Sequence, residues 1–226
     1  MAKVIRVLST IGMRTVLEEI APTFERAESC TVERVYHSSI TLLGRIAKGE
    51  TGDAAVFTST AIDDLIAQGK VTGRTDLTRS GVGLAVRKGA PQPDISTAEA
   101  FKQALLAAKS IAHSKTGASG IYFVQLAERL GIADAVARKA VVQDGVVAEI
   151  TARGEAEIAI QQVSELMQSA GVDIVGPLPP ELQEMTIFSA GVFKGSPQAD
   201  LAKAFIAELA APTHAALVRR KGMEPA

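Results

Sequence analysis

Short apolar runs of strand length alternate with stretches whose apolar residues recur at helical spacing. Val4 to Leu8 reads as a strand, and Val16, Leu17, Ile20 and Phe24 follow on one helix face. Val32 to Tyr36 is a second strand, and Leu42, Leu43 and Ile46 mark a second helix. Lys48 and Gly49 supply its stop signal, a cation in the last turn and a glycine just beyond. Ala54 to Phe57 is a third, fully apolar strand. Thr60 opens a third helix, with Asp63 three residues on in a capping-box arrangement. Alternation of this kind predicts an α/β fold built on parallel strands.

The pattern changes after residue 78. Gly81 to Arg87 reads as a strand, followed by the loop from Gly89 to Asp94 and a helix over 96–109 capped by Ser96. Ile111 to His113 is a short strand, and Ile121 to Leu130 a helix stopped by Gly131. Ala140 to Val142 reads as a strand, Val146 to Ala152 as a helix, and Ile158 to Gln161 as another strand. The Pro-rich run from Gly176 to Leu182 reads as a loop and Thr186 to Phe193 as a strand. Helices are expected from about Pro197 to Leu209 and again from Pro212. This organisation suggests two α/β lobes with the second inserted in the first: 1–80 plus 188–226, and 81–187.

Composition narrows the function classes. With 24 Lys+Arg against 25 Asp+Glu, the chain lacks the charge excess of a strongly basic nucleic-acid binder. Aromatics at 4% are too few for single-strand stacking platforms, so no nucleic-acid partner is expected. At 226 residues and 47% hydrophobic, it can bury roughly 70% of its unfolded surface without staples. Its one cysteine, Cys30, forbids an intrachain disulfide and reads as a small buried hydrophobe. No apolar run approaches the ~18 residues of a spanning helix, so no membrane insertion is expected. The start, Met-Ala-Lys followed by an alternating strand, lacks the look of a signal peptide. The expected location is the cytoplasm as written, or the periplasm if a leader has been removed.

Four polar segments stand where strands end and helices begin, the place where open α/β sheets collect ligands. Ser9, Thr10, Ile11, Gly12, Met13 and Arg14 follow the first strand; His37, Ser38, Ser39, Ile40 and Thr41 follow the second. Each reads either as an ordinary helix cap or as a set of hydroxyl and N–H donors for an anion. Ser114 to Gly120 adds two glycines that let backbone N–H groups turn toward a ligand, without the order of a P-loop. Gln161 and Gln162 end an apolar strand, either satisfied within the core or facing a pocket. His37, His113 and His214 are isolated, so no metal site is expected, and nothing in the sequence calls for a cofactor. His37 beside Ser38 does not by itself make a base and its nucleophile.

Taken in order, these segments resemble a known family. The run Ile20-Ala21-Pro22-Thr23-Phe24 is followed by Ser38, Ser39, Thr41, Leu42, Gly44, Ile46 and Gly49. Asp53 to Thr60 and then Thr116 to Tyr122 complete the series. It is similar to the molybdate-binding receptors of ABC importers and to the wider bacterial extracellular solute-binding proteins, over nearly the whole chain. The resemblance implies a two-lobed periplasmic-binding-protein fold of type II, with two α/β sandwich lobes joined by two crossing strands. It also implies a small anionic ligand in the cleft, held by hydroxyls and N–H groups. The implied ligand-binding residues are Thr10, Gly12, Met13, Ser38, Ser39, Ser119, Gly120 and Gln162, with a backbone contact near Asp144 and Gly145. Ala118 stands where the family has proline, and Gln162 where it has tyrosine. Arg14, Lys115 and Arg153 are cations that would suit a carboxylate, although on base rate each reads first as a solvated surface charge.

Two functions follow as expectations. One is a solute-binding protein for an oxyanion or small carboxylate, with an ABC permease as partner if the chain is exported. The other is a leaderless enzyme of the same fold, an isomerase or tautomerase that moves a proton on a carboxylate with His37 as base.

Overall fold

The computed structural model describes residues 3–226. In chain order it contains β1 (Lys3–Thr10), a 3-10 turn (Ile11–Met13), α1 (Arg14–Glu28), β2 (Cys30–His37), α2 (Ser39–Ala47), β3 (Ala54–Thr58) and α3 (Ser59–Ala67). Then come β4 (Val71–Arg87), α4 (Ala98–Ala107), β5 (Ile111–Ser114), α5 (Ala118–Arg129), α6 (Ala133–Ala137), β6 (Ala140–Gln143) and α7 (Ala148–Ala152). The rest is β7 (Ile158–Gln162), α8 (Val163–Leu166), β8 (Val172–Pro177), a 3-10 turn (Pro180–Leu182), β9 (Met185–Phe193), α9 (Ala199–Leu209), α10 (Ala215–Arg220) and β10 (Glu224–Pro225).

The chain divides into two units. The first holds the residues up to Arg79 together with Thr186–Ala226, and the second is Ser80–Met185. The chain passes from the first to the second within β4 and returns at the start of β9.

In the first unit the strand order is β2-β1-β3-β9 and then the first half of β4, with β10 paired to Thr78 and Arg79. β1 runs parallel to β2 and β3, whereas β9 runs antiparallel to β3. Apolar residues on one face of this sheet pack with Val16, Leu17, Ile20 and Phe24 of α1 and Phe205 of α9. On the other face Leu8, Ala55 and Phe57 meet Leu42 and Ile46 of α2 and Ile62 and Leu65 of α3. β3 is buried along Ala54–Phe57 because both of its faces are covered, which is why its sequence is apolar without alternation.

In the second unit β5 lies between β6 and β7, parallel to both. The second half of β4 is antiparallel to β7 on one side and to β8 on the other. Phe101 and Leu105 of α4 and Phe123 and Leu126 of α5 fill the core over this sheet.

Several elements differ from the sequence expectation. β4 starts at Val71, ten residues earlier than expected; its first half is polar and contains Gly73 at φ +71°, so it lacks the apolar pattern of a strand. The third helix is not opened by a Thr60–Asp63 capping box: it starts at Ser59, and Asp63 instead pairs with Arg74 at 2.7 Å. The cap of α4 is Thr97, whose hydroxyl accepts the Ala100 N–H, and not Ser96, whose N–H donates to Asp94. α5 begins at Ala118, a turn before the expected Ile121, which brings Ser119 and Gly120 into its first turn. The helix expected from Val146 is shorter and begins at Ala148. The Pro-rich loop contains the end of β8 and a 3-10 turn.

Candidate functional site

The carboxyl ends of the parallel strands form one pole in each unit. In the first unit, register pairs Ser9 with Tyr36 and with Val56, and Thr10 with His37. The turns after β1, β2 and β3 therefore come together, carrying Thr10, Ser38, Ser39, Thr58 and Thr60. In the second unit, register pairs Ser114 with Gln143, and His113 with Ile160 two residues before Gln162. The α5 start, the 144–147 loop and the end of β7 therefore share a pole.

Much of the hydroxyl content of the first pole is spent on local structure. Ser9 donates to the Thr10 carbonyl. Ser38 is the cap of α2: its Oγ accepts the Thr41 N–H at 3.2 Å and donates to the Thr41 hydroxyl at 2.9 Å. Ser39 Oγ accepts the Thr58 N–H at 3.3 Å, which leaves its own hydrogen available. Thr10, before the 3-10 turn, makes no side-chain cap bond. A Cβ on Gly12 would stand 2.8 Å from Phe188 Cζ, so the ring would have to shift to admit a side chain. Gly12 and Met13 lie in the turn that leads into α1, where first-turn N–H groups lack helical acceptors. His37 is exposed at the end of β2.

The second pole is arranged differently. Ser114 Oγ accepts the Gly117 N–H at 2.9 Å. A Cβ on Gly120 would come within 1.9 Å of the Ser114 carbonyl oxygen, so only glycine lets the α5 start sit on β5. The Gly120 N–H donates to the Gly117 carbonyl at 3.1 Å. Ser119 is 1% exposed, and its hydroxyl has no hydrogen-bond partner among the described residues. A Cβ built on Gly117, the residue before α5, would lie 4.0 Å from that hydroxyl. Ser119 Oγ thus stands at the mouth of a twelve-residue helix whose first turn carries no acid. A buried hydroxyl needs an acceptor or donor, and a helix start favours an anion.

Sequence reasoning missed Ser164, in the first turn of α8, whose buried hydroxyl also lacks a partner among the described residues. Its only sequence signal is its place two residues after Gln162. Gln161 belongs to the structure of the loop: its Oε1 accepts the Val147 N–H at 2.9 Å and its Nε2 donates to the Gly145 carbonyl at 2.8 Å. Gln162 is buried at the end of β7. Asp144 is tied to Thr116, whose hydroxyl donates to it at 2.6 Å.

Of the three cations singled out, Arg153 is engaged by Glu155 at 2.6 Å. Lys115 is exposed at the α5 start, and Arg14 lies over the Tyr36 ring. His113 is buried, with its ring 5.4 Å from that of Phe123. Burial pushes its pKa below the usual imidazole value, against the opposing pull of the Ser114 carbonyl. It therefore stays neutral near pH 7. Cys30 is buried at the start of β2, and burial raises its thiol pKa. Among the described residues no single helix is long and apolar enough to cross a membrane.

Helix starts with hydroxyls at the ends of strands offer donors suited to an anion. Residues 5–224 match the model of the bacterial extracellular solute-binding protein family, and the chain belongs to that family. It is 35% identical to an aconitate isomerase from a Pseudomonas species, over 97% of this chain and 87% of that one. Among solved structures it resembles the periplasmic molybdate-binding protein of Azotobacter vinelandii, with a TM-score of 0.82 at 19% identity, covering 97% of this chain and 98% of the other. It also resembles the sulfate-binding protein SubI of Mycobacterium tuberculosis, with a TM-score of 0.78 at 14% identity, covering 99% and 87%. At those identities the two structures establish the fold, that of periplasmic binding proteins.

Proposed function

We propose that this protein is an isomerase of a small unsaturated polycarboxylate, aconitate, and that it holds the substrate carboxylates with Ser/Thr hydroxyls and helix-start N–H groups. The observation that carries this reading is the 35% identity to an aconitate isomerase across nearly the full chain. The unpartnered Ser119 hydroxyl and the acid-free start of α5 support it with a place for one carboxylate. Within the first unit, Thr10, Ser39 and the amides of Gly12 and Met13 form a donor set of the same kind.

Aconitate is a propene tricarboxylate, and its isomers differ in the arrangement about the double bond. A base removes one proton from the methylene carbon, and the electron pair spreads over the allylic unit and its carboxylates. Returning a proton to the far carbon shifts the double bond. Electrons and atoms balance without an oxidant or reductant. Donors fixed on the carboxylates stabilise the charge that develops. His37, exposed at the end of β2 and beside Thr10 in register, is the proposed base. Histidine is the side chain that most often moves a proton in such a step.

The test is turnover of cis- and trans-aconitate, read by chromatography, together with solvent-deuterium incorporation at the methylene position. H37Q should lower kcat by about 10²–10⁴-fold and leave aconitate affinity within a few-fold. Absence of turnover by the unaltered protein would refute the reading.

Family membership favours a second reading, in which the same donors capture an oxyanion or small carboxylate and pass it to an ABC permease. Tight binding without isomerisation, unchanged by H37Q, would mark this alternative.

A further inference from the structure

An acid in the first turn complements the positive end of a helix. α4, α6, α7, α8 and α9 carry one: Glu99, Asp134, Glu149, Glu165 and Asp200 respectively. The three helices that open at the first unit's pole, α1, α2 and α3, carry none. α1 goes further, because its first residue is a cation, Arg14, placed against the helix dipole.

The surroundings of Arg14 hold it there without neutralising it. Its guanidinium carbon lies 5.1 Å from the centroid of the Tyr36 ring, a cation–π distance. The Tyr36 hydroxyl donates to Glu18 at 2.9 Å, which fixes the ring. Glu18 is four residues from Arg14 on the same helix and would be its natural ion-pair partner. Instead Glu18 serves Tyr36 and stands 4.0 Å from Arg34 Nε. Arg14 is half-buried and has neither an ion pair nor a hydrogen bond from its side chain among the described residues. Tyr36 is the register partner of Ser9 and precedes His37, so the guanidinium stands beside the strand ends from which α1, α2 and α3 start without an acid in their first turns.

We infer that Arg14 binds one carboxylate of the substrate through its free N–H edge and selects a tricarboxylate over dicarboxylates, with Tyr36 and Glu18 as positioning residues. A planar guanidinium stacked on an aromatic face keeps its edge donors for a bidentate carboxylate contact. The anion also relieves the unfavourable placement of the cation at the start of α1. This inference rests on the proposed polycarboxylate isomerase.

The test uses the full chain and four variants, R14Q, R14K, Y36F and E18Q, with KM and kcat for aconitate measured for each. R14Q should raise KM by about 10–100-fold with kcat within about 3-fold, and R14K should recover only part of the loss. Y36F and E18Q should raise KM by a few-fold. R14Q should melt at or above the temperature of the unaltered protein, whereas an arginine with a merely structural role would lower it. Inhibition by glutaconate, itaconate and mesaconate, each lacking a different carboxylate of aconitate, locates the contact. R14Q should weaken two of them and leave the one without the read carboxylate unchanged. An unchanged KM in an active R14Q, or equal weakening of all three analogues, overturns the role of Arg14 alone. Failure of the unaltered protein to bind or turn over aconitate overturns the isomerase reading, and this inference with it.

Discussion

The two poles use similar residues to different ends. In the first unit three parallel strands end in hydroxyl-rich turns, and Ser9, Ser38 and Ser39 each hold backbone or neighbouring side chains. No acid stands in the first turn of the helices that start there. In the second unit Ser114 and Thr116 are similarly spent, yet Ser119 and Ser164 keep buried hydroxyls with no partner among the described residues. Acids also stand at this second pole: Asp144 after β6 and Glu165 in the first turn of α8. A count of Ser and Thr would rank the first pole as the richer donor set. Hydrogen-bond accounting narrows that lead, because a hydroxyl used as a cap has less left for a ligand.

The largest difference to exploit lies in how each pole is packed around its glycine. A Cβ at Gly120 meets the Ser114 carbonyl at 1.9 Å, a backbone atom that cannot step aside, whereas a Cβ at Gly12 meets the far end of the Phe188 ring at 2.8 Å. G120A should destabilise by about 3 kcal/mol or more, lowering Tm by roughly 10 °C, and G12A by about 1 kcal/mol. Thermal melts of the two variants decide it, and equal shifts would show that the second pole yields as easily as the first.

Next in size is the unspent hydroxyl. S119A should weaken aconitate binding by about 10–100-fold, the value of one hydrogen bond to a charged group. It should leave Tm unchanged or slightly raised, since a buried polar atom without a partner is removed. S39A should differ by losing stability as well as affinity: it removes the acceptor of the Thr58 N–H, which costs about 1 kcal/mol, along with a hydroxyl donor of the site. Calorimetric titration and melting of both variants test the contrast.

The smallest effect is in pH. His113 in the second unit has a folded pKa below its unfolded value of about 6.5, because burial disfavours the charged ring. Below that pH the unfolded chain takes up a proton that the folded chain refuses, so stability falls on acidification. The slope should approach at most 1.4 kcal/mol per pH unit, and H113F should abolish it. In the first unit Asp76 is held below the usual carboxylate range by Arg74 and by the Ser189 hydroxyl. Its stabilisation persists above about pH 4 and is lost only below. Urea unfolding across pH 3–7 separates the two windows.

The alternation of strands and helices was legible because buried parallel strands are continuous apolar runs and the helices between them show one apolar face. The first half of β4 was not, because Arg74 and Asp76 interrupt any apolar pattern, and their mutual pairing and bonds to Asp63 and Ser189 are seen only in the fold. β8 was hidden by Gly176 and Pro177, which look like a turn and end a strand. At the site, sequence located the turns by their hydroxyls and glycines. It had no means of telling a capping hydroxyl from an idle one, nor that Gln161 serves its own loop or that Arg153 is already paired. Those are facts of long-range partnership, which spacing along the chain does not encode.

β9 lies between β3 and the first half of β4, and β10 pairs with Thr78 and Arg79, so β3 and the first half of β4 depend on residues made more than a hundred positions later. The second unit, by contrast, is one unbroken stretch of chain. On a ribosome adding about 5–20 residues per second, the second unit is complete while β3 still waits, for roughly ten seconds, with an open edge. A nascent chain of this protein therefore has a vulnerable interval in which its first-made strands are best shielded by a chaperone.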